Sequence, residues 1–441
     1  MRRVVSGRIV NEGRVFCGSI EIDGDVIADI EEVDAGSAAL TPDIYVFPGV
    51  IDEHVHFREP GLTEKGDFES ESHAAAAGGV TTVFDMPNTL PGTTDRTSLR
   101  EKLALAHERC LINYAAFIGA TDDNLDELSM IDASMVPGIK VFMGASTGNL
   151  LVSDDCTLHE IFALAAKRGL PIVAHCEDAE MIRANAARVM EVTGEDAGVE
   201  LHSQIRDSEV CLSSTRKAIA LAEGHGARLM VAHVSTAAEL EEIALHANVK
   251  AECCPSYLTF CCQDYARLGA LIKCNPAIKN ESDRLALRQA LGNGGVYCIA
   301  TDHAPHEMAV KQGGAFKAAS GMPSVQFSLT MMLQMADEGW LTLPRVAELM
   351  CHHPATYFGV QQRGFIRRGM KADLVIVRHL DEPHTVTNKD VVSKCGWTPY
   401  SGMQTRWQVE QTICNGVTVF RLGGLTAAKR AAQQVIFRHD A

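Results

Sequence analysis

The strongest constraint on this chain is a rhythm: from Val50 to about Cys351, short apolar runs alternate with longer amphipathic segments. That is the pattern of β/α units whose strands lie side by side in a parallel sheet. The runs are Val46 to His56, Thr81 to Met86, Ile112 to Ile118, Ile139 to Phe142, Ile172 to His175, Leu229 to His233, Val249 to Cys253 and Cys298 to Asp302. Between them, Arg96 to Arg109, Leu158 to Arg168, Ser208 to Glu223, Ala237 to His246 and Ser282 to Leu291 space their apolar residues as helices do. Eight such units close naturally into a (β/α)8 barrel, an α/β fold of the TIM type. An open doubly wound sheet is the alternative, but no G-x-G-x-x-G opens a helix after a first strand, so its dinucleotide-binding form has no support.

The flanks have a different texture. From Val4 to Val46 alternating runs are broken by Asn11-Glu12-Gly13, Asp23-Gly24-Asp25 and Pro42, which reads as β-hairpins. After Pro354, Ala372 to Arg378 and Val409 to Arg421 are again strand-like, with Asn415-Gly416 as a hairpin turn. We expect residues 1–47 and 359–441, the latter with a tail, to form one small β-rich domain around a barrel of residues 48–358. A length of 441 residues allows one large catalytic domain with such a satellite.

Composition narrows the function. Hydrophobic residues at 46% and charged residues at 22% are an ordinary globular mix, which excludes disorder, collagen and simple coiled coils. The 56 acidic against 40 basic residues give a formal charge of -16, so no general basic field draws nucleic acid or an anionic membrane. No apolar run follows the arginines of Met1 to Val10, and none reaches the length of a membrane span, so the protein is expected to be cytoplasmic. The 14 cysteines sit mostly in apolar strings, as small hydrophobes do. Cys253, Cys254, Cys261 and Cys262 invite a metal reading but lack C-x2-C spacing.

The chemistry concentrates at the C-terminal ends of the expected strands, where barrel enzymes carry their active sites. His54 and His56 are two apart on an extended strand and can chelate one cation from one face. Lys140, His175, His233 and Asp302 recur at the same position on other strands. A lone strand-end histidine is more often a packed or capping residue, but a packed histidine has no reason to recur at one geometric position. A protonated Lys140 cannot ligate metal; a neutral one can add carbon dioxide, and the carbamate is a bidentate anion able to bridge two cations. The plain alternative is a lysine snorkelling from the barrel rim.

"PGVIDEHVHFREPG" from Pro48, "AAAAGGVTTVFDMPNT" from Ala74, the "GIK" of Lys140, the two later strand-end histidines and "IATDHAPH" from Ile299 together resemble the amidohydrolase superfamily. Within it they are most similar to the dihydroorotases, and "GMKADLVIV" from Gly369 resembles the strand that returns to the small β domain. The resemblance implies two zinc ions, one held by His54, His56 and Asp302, the other by His175 and His233, with carboxylated Lys140 bridging them. Asp302 would be the proton acceptor and donor. Beyond the metals it implies a small-molecule substrate touched by His56, Arg58, Asn88, Asn275, His306, Ser320 and Gly321, and a homodimer.

Arg58, two residues past the His-x-His pair, separates dihydroorotate, which carries a carboxylate, from allantoin, hydantoin and dihydrouracil, which do not. Two features point the other way. Many bacterial dihydroorotases have aspartate at the bridging position, so Lys140 resembles the allantoinases and hydantoinases, as does "AASGMPS" from Ala318. The expectation is reversible hydrolysis of dihydroorotate to N-carbamoyl-aspartate in pyrimidine synthesis, with an allantoinase or hydantoinase (dihydropyrimidinase) as the alternative. A non-catalytic scaffold is a third reading, against which all six ligand residues stand.

Overall fold

The computed structural model describes residues 2–34, 41, 43–144, 150–426 and 431–439. Three antiparallel strands open the chain, β1 (Arg2–Asn11), β2 (Arg14–Asp23) and β3 (Val26–Glu32), and β4 (Ile44–Pro48) pairs parallel with β1. The β1–β2 hairpin turns on Glu12 (φ 49°) and Gly13 (φ 77°), the two successive positive φ angles that a tight hairpin of this twist requires.

The barrel follows as β5 (Val50–Val55), β6 (Val80–Asp85), β7 (Asn113–Ala116), β8 (Ile118–Gly119), β9 (Ile139–Phe142), β10 (Ile172–His175), β11 (Leu229–Val231), β12 (Val249–Cys253) and β13 (Cys298–Ile299). β7 and β8 are one stave interrupted at Phe117, whose N–H goes to Asp85 O (3.0 Å), so eight staves run parallel. Closure is direct: Val55 bridges His303 in parallel, and His56 N–H donates to His303 O at 2.8 Å. The fold is the expected TIM barrel.

The first run, Val46 to His56, divides between two sheets. Its beginning is β4, paired with β1 and with β14 (Leu374–Thr385); its end is β5, paired with β6. The chain crosses at Gly49, where a Cβ would lie 2.2 Å from Thr81 Oγ1, so only glycine passes. The small domain is completed by β15 (Gln404–Cys414), β16 (Val417–Arg421) and β17 (Gly424–Leu425), in an eight-stranded sheet ordered β17-β16-β15-β14-β4-β1-β2-β3. The turn between β15 and β16 is Asn415-Gly416, with φ of 46° and 75°.

The described end of the tail does not join that sheet. Residues 431–439 run along the barrel, with Val435 N–H on Tyr114 O and Phe437 N–H on Ser134 O, both 3.0 Å. Phe437 then meets Phe84 edge-on at 5.3 Å in the cluster that Phe117 and Phe358 complete. Val435 and Phe437 of the tail thus fill the barrel interior while Ile436 between them faces outward, which period-two alternation could not reveal.

One buried ion pair ties the frame to the site. Asp85, at the end of β6, accepts from Phe57 N–H (2.7 Å), in the segment that carries His56 and Arg58. Lys102, from the helix Arg96–Arg109, lies 2.5 Å from Asp85 Oδ2 and donates to Met86 O at 2.6 Å; both side chains are 1% exposed. Lys102→Met leaves that carboxylate buried and unpaired, and is expected to cost about 3–5 kcal/mol in denaturant unfolding. A change under 1 kcal/mol would show that the pair does not hold this segment.

Candidate metal centre and substrate pocket

The proposed ligands converge from five staves. His54 and His56 sit at the end of β5, Lys140 in β9, His175 at the end of β10, His233 just beyond β11, and Asp302 just beyond β13. His54 Nε2 and His56 Nε2 lie 3.5 and 2.9 Å from Asp302 Oδ1, and the three donor atoms fall within 4.8 Å of one another. His175 Nδ1 is 2.9 Å from His233 Nε2, and the His54 and His233 ring centroids are 5.3 Å apart. The backbone is bent to do this: His233 (φ 41°), Asp302 (φ 47°) and Arg58 (φ 72°) occupy the left-handed region that favours glycine. Such strain persists only where the surrounding structure enforces it.

Three of the imidazoles are aimed by a partner on the nitrogen away from the centre. His54 Nδ1 meets Glu252 Oε1 (2.8 Å), which also accepts from His233 N–H (2.9 Å). His56 Nδ1 meets Asn88 Oδ1 at 2.7 Å, and His175 Nε2 meets Glu177 Oε2 at 2.8 Å; Glu177 is in turn paired with Arg206. Such partners fix tautomer and ring angle, as a metal site requires. Glu177, Glu252 and Arg206 were outside the sequence expectation. The signal was there: a glutamate interrupts the apolar seventh run at 252, and another follows His175 by two on the same face.

Electrostatics and unpaired atoms test whether a cation fits. Burial pushes His54 and His233 well below the usual histidine range, so both present neutral lone pairs. Asp302 is driven up by burial, but the His56 hydrogen bond and the electrostatic influence of the surrounding imidazoles and Lys140 outweigh it and hold the carboxyl at about 2. Lys140 is wholly buried, its Nζ has no hydrogen-bond partner, and burial lowers it to about 8. Neutral imidazole nitrogens with one ionised carboxylate and an orphaned amine are a donor set for a divalent cation of the zinc class.

Above these groups lies a cavity of about 90 Å³ lined by His54, His56, Arg58, Asn88, His175, His233, Asn275, Asp302, Ser320 and Gly321, together with Phe142 and Ala304. Gly321 (φ 138°) leaves no room for a side chain, since a Cβ would lie 2.6 Å from Ala304 O. His306 does not line the cavity. Its Nε2 is 3.0 Å from Ser320 O and 3.1 Å from an Arg58 terminal nitrogen, so it stands behind the arginine. The backbone at 320–321 is largely engaged by protein: His306 meets Ser320 O, Gly321 N–H donates to Lys273 O (2.9 Å), and Lys311 Nζ donates to Gly321 O (2.7 Å). Lys311 also donates to Lys273 O and Ala319 O, so the segment from Met308 to Ser320 is tied down at its far end.

Arg58 is the electrostatic anomaly. It is 5% exposed, its Nε donates to Pro305 O (3.2 Å), and among the described residues no carboxylate lies within 4 Å of it. Burial lowers it to about 10, which leaves it charged at neutral pH.

Comparison with known proteins places this geometry. Over 426 residues the chain is 32% identical to a dihydroorotase of Halobacterium salinarum, covering 95% of this chain and 96% of that one. Over 433 residues it is 33% identical to an allantoinase of Solibacter usitatus, covering 96% and 94%. Among solved structures, the L-hydantoinase (dihydropyrimidinase) of Arthrobacter aurescens superposes with a TM-score of 0.91 at 30% identity, over 98% of this chain and 99% of that one. Residues 45–419, which take in the whole barrel and strands β14 and β15 of the sheet beside it, match the model of the amidohydrolase family, and the chain belongs to that family.

Proposed function

We propose that the protein is a hydrolase of cyclic amides whose substrate is dihydroorotate, opened reversibly to N-carbamoyl-aspartate in pyrimidine synthesis. The observation that carries this reading is Arg58, a buried cation on the cavity wall with no carboxylate within 4 Å of it among the described residues. A ring bearing its own carboxylate would complete the pair through two parallel bonds. Asn88 supports it: with Oδ1 turned to His56, its Nδ2 is the group left for a ligand.

In this reading His54, His56 and Asp302 would hold one zinc ion, His175 and His233 the second, and Lys140, as its carbamate, would join them. When bound, the two ions would supply Lewis acidity and lower the pKa of a water molecule. The chain's own residues do the rest. Arg58 and Asn88 orient the ring by its carboxylate. Asp302, ionised, takes a proton as water adds to the ring carbonyl, and returns it to the ring nitrogen as the carbon–nitrogen bond breaks. The ring carbonyl becomes the second carboxylate and the nitrogen becomes the carbamoyl NH2.

Arg58→Met is expected to raise KM for dihydroorotate about a hundredfold, the worth of a charge-assisted pair of hydrogen bonds, with a smaller effect on kcat. Unchanged kinetics would remove the basis for this substrate. The allantoinase and hydantoinase relatives, together with Lys140, favour a second reading in which an uncharged ring is the substrate. It predicts turnover of allantoin, hydantoin or dihydrouracil by the zinc-loaded protein at least equal to that of dihydroorotate.

A further inference from the structure

His202 is a buried histidine that takes no part in the chemistry above, yet it determines what one wall of the pocket offers. It belongs to a short turn of helix, His202–Ile205, and its Nε2 touches two groups: Cys274 O at 2.9 Å and the Asn275 side chain at 3.0 Å. A carbonyl oxygen can only accept, so the contact with Cys274 O puts the ring proton on Nε2. The Asn275 atom facing that same N–H must then be the acceptor of its amide, Oδ1. The amide is thereby locked, and Nδ2 is turned away from His202. Among the described residues Nδ2 makes no hydrogen bond, and Asn275 lines the cavity. Burial and the neighbouring charges of Arg206 and Lys273 push His202 down to about 3, so it remains a single-proton donor across the working pH range.

The geometry points to His202 as a positioning residue: it locks the Asn275 amide so that the pocket meets its ligand there with an N–H donor, selecting a ring or carboxylate oxygen over a ring N–H. The inference rests on the cavity being the substrate site and holds for whichever cyclic amide is turned over. The neighbouring Arg206 supplies the contrast, since it reaches the metal side through Glu177 and His175, whereas His202 reaches only the ligand side.

The test is a double-mutant cycle of His202→Ala and Asn275→Ala, read as KM, kcat and zinc content on the preferred substrate. Each single change is expected to raise KM about tenfold, the worth of one hydrogen bond, with zinc content as in the wild type. The double variant should be no worse than the worse single one, because His202 acts only through Asn275. Penalties that multiply, or loss of zinc from His202→Ala, would overturn the inference. Should His202→Ala fail to fold, His202→Gln against His202→Glu decides. The glutamine retains a donor and is expected within a few-fold of wild-type KM; the glutamate has only acceptors, rotates the Asn275 amide and raises KM. Equal KM for the two would also overturn it. Failure of the dihydroorotate reading shows separately, in the wild-type preference among rings.

Discussion

Asp302→Asn is expected to lower kcat by about 10³-fold while leaving zinc content close to that of the wild type, since general acid–base catalysis by a positioned group contributes factors of this order. The substitution keeps an oxygen where the His54 and His56 ring nitrogens converge, at 3.5 and 2.9 Å, so the ligand geometry survives. What it removes is the ability to take a proton and give it back. Because Asp302 is held at about 2, the wild-type carboxylate is ionised throughout the neutral range and ready to act as base without prior deprotonation. The same shift has a sign for stability. A carboxyl whose folded value lies below its unfolded value of roughly 4 contributes stability above that unfolded value, and the contribution is lost as pH falls through about 2. Metal-free Asp302→Asn protein is therefore expected to show a flatter loss of stability on acidification than metal-free wild type. Steady-state kinetics with metal analysis checks the first claim, and acid titration of unfolding the second. Retention of more than a tenth of wild-type kcat would move the proton-transfer role to another group.

Most of the architecture was legible because it is periodic. Eight apolar runs at β/α spacing close a barrel whatever their detailed register, and gathering the candidate ligands at the run ends needs only the rule that strand C-termini share one face. What the sequence did not yield are contacts made across long separations by residues with no period. The tail's Val435 and Phe437 fill the barrel interior from the far end of the chain. Lys102 reads as a helix-surface lysine until the ring closes and buries it against Asp85. Glu177 and Glu252 look like isolated charges until each is found on the outward nitrogen of a histidine. Asn88, expected to read the substrate, lies on the cavity wall with its oxygen on His56, which leaves only its nitrogen for a ligand. His306, also expected at the substrate, has its Nε2 against Arg58 and Ser320 O. A sequence motif names the residues near a site; it does not say which nitrogen or oxygen of each is already taken.

Lys140→Met is expected to abolish turnover and to lower zinc content by about half, a larger structural consequence than any other single change at the centre. Methionine matches the length and apolar stem of lysine, so the barrel interior stays filled and only the terminal nitrogen is lost. In the wild type that nitrogen is fully buried and makes no hydrogen bond, an arrangement that a charged ammonium does not tolerate without a partner. Burial resolves this by lowering Lys140 to about 8, so that a useful fraction is neutral near physiological pH. In the proposed reading the neutral amine would attack carbon dioxide, forming a carbon–nitrogen bond and releasing one amine proton to solvent, and the product would be the anion that the neighbouring imidazoles lack. Since only the neutral amine reacts, recovery of activity by metal-free protein given zinc and bicarbonate should quicken as pH rises through about 8 and level off above it. For stability the sign is the same: between about 8 and the unfolded value near 10.4 the unfolded chain binds more protons, so the metal-free protein gains stability with rising pH. A Lys140→Met protein that keeps two zinc ions per chain and wild-type kcat would show that the lysine fills space at the barrel rim, and the centre would then need no bridge between its two halves.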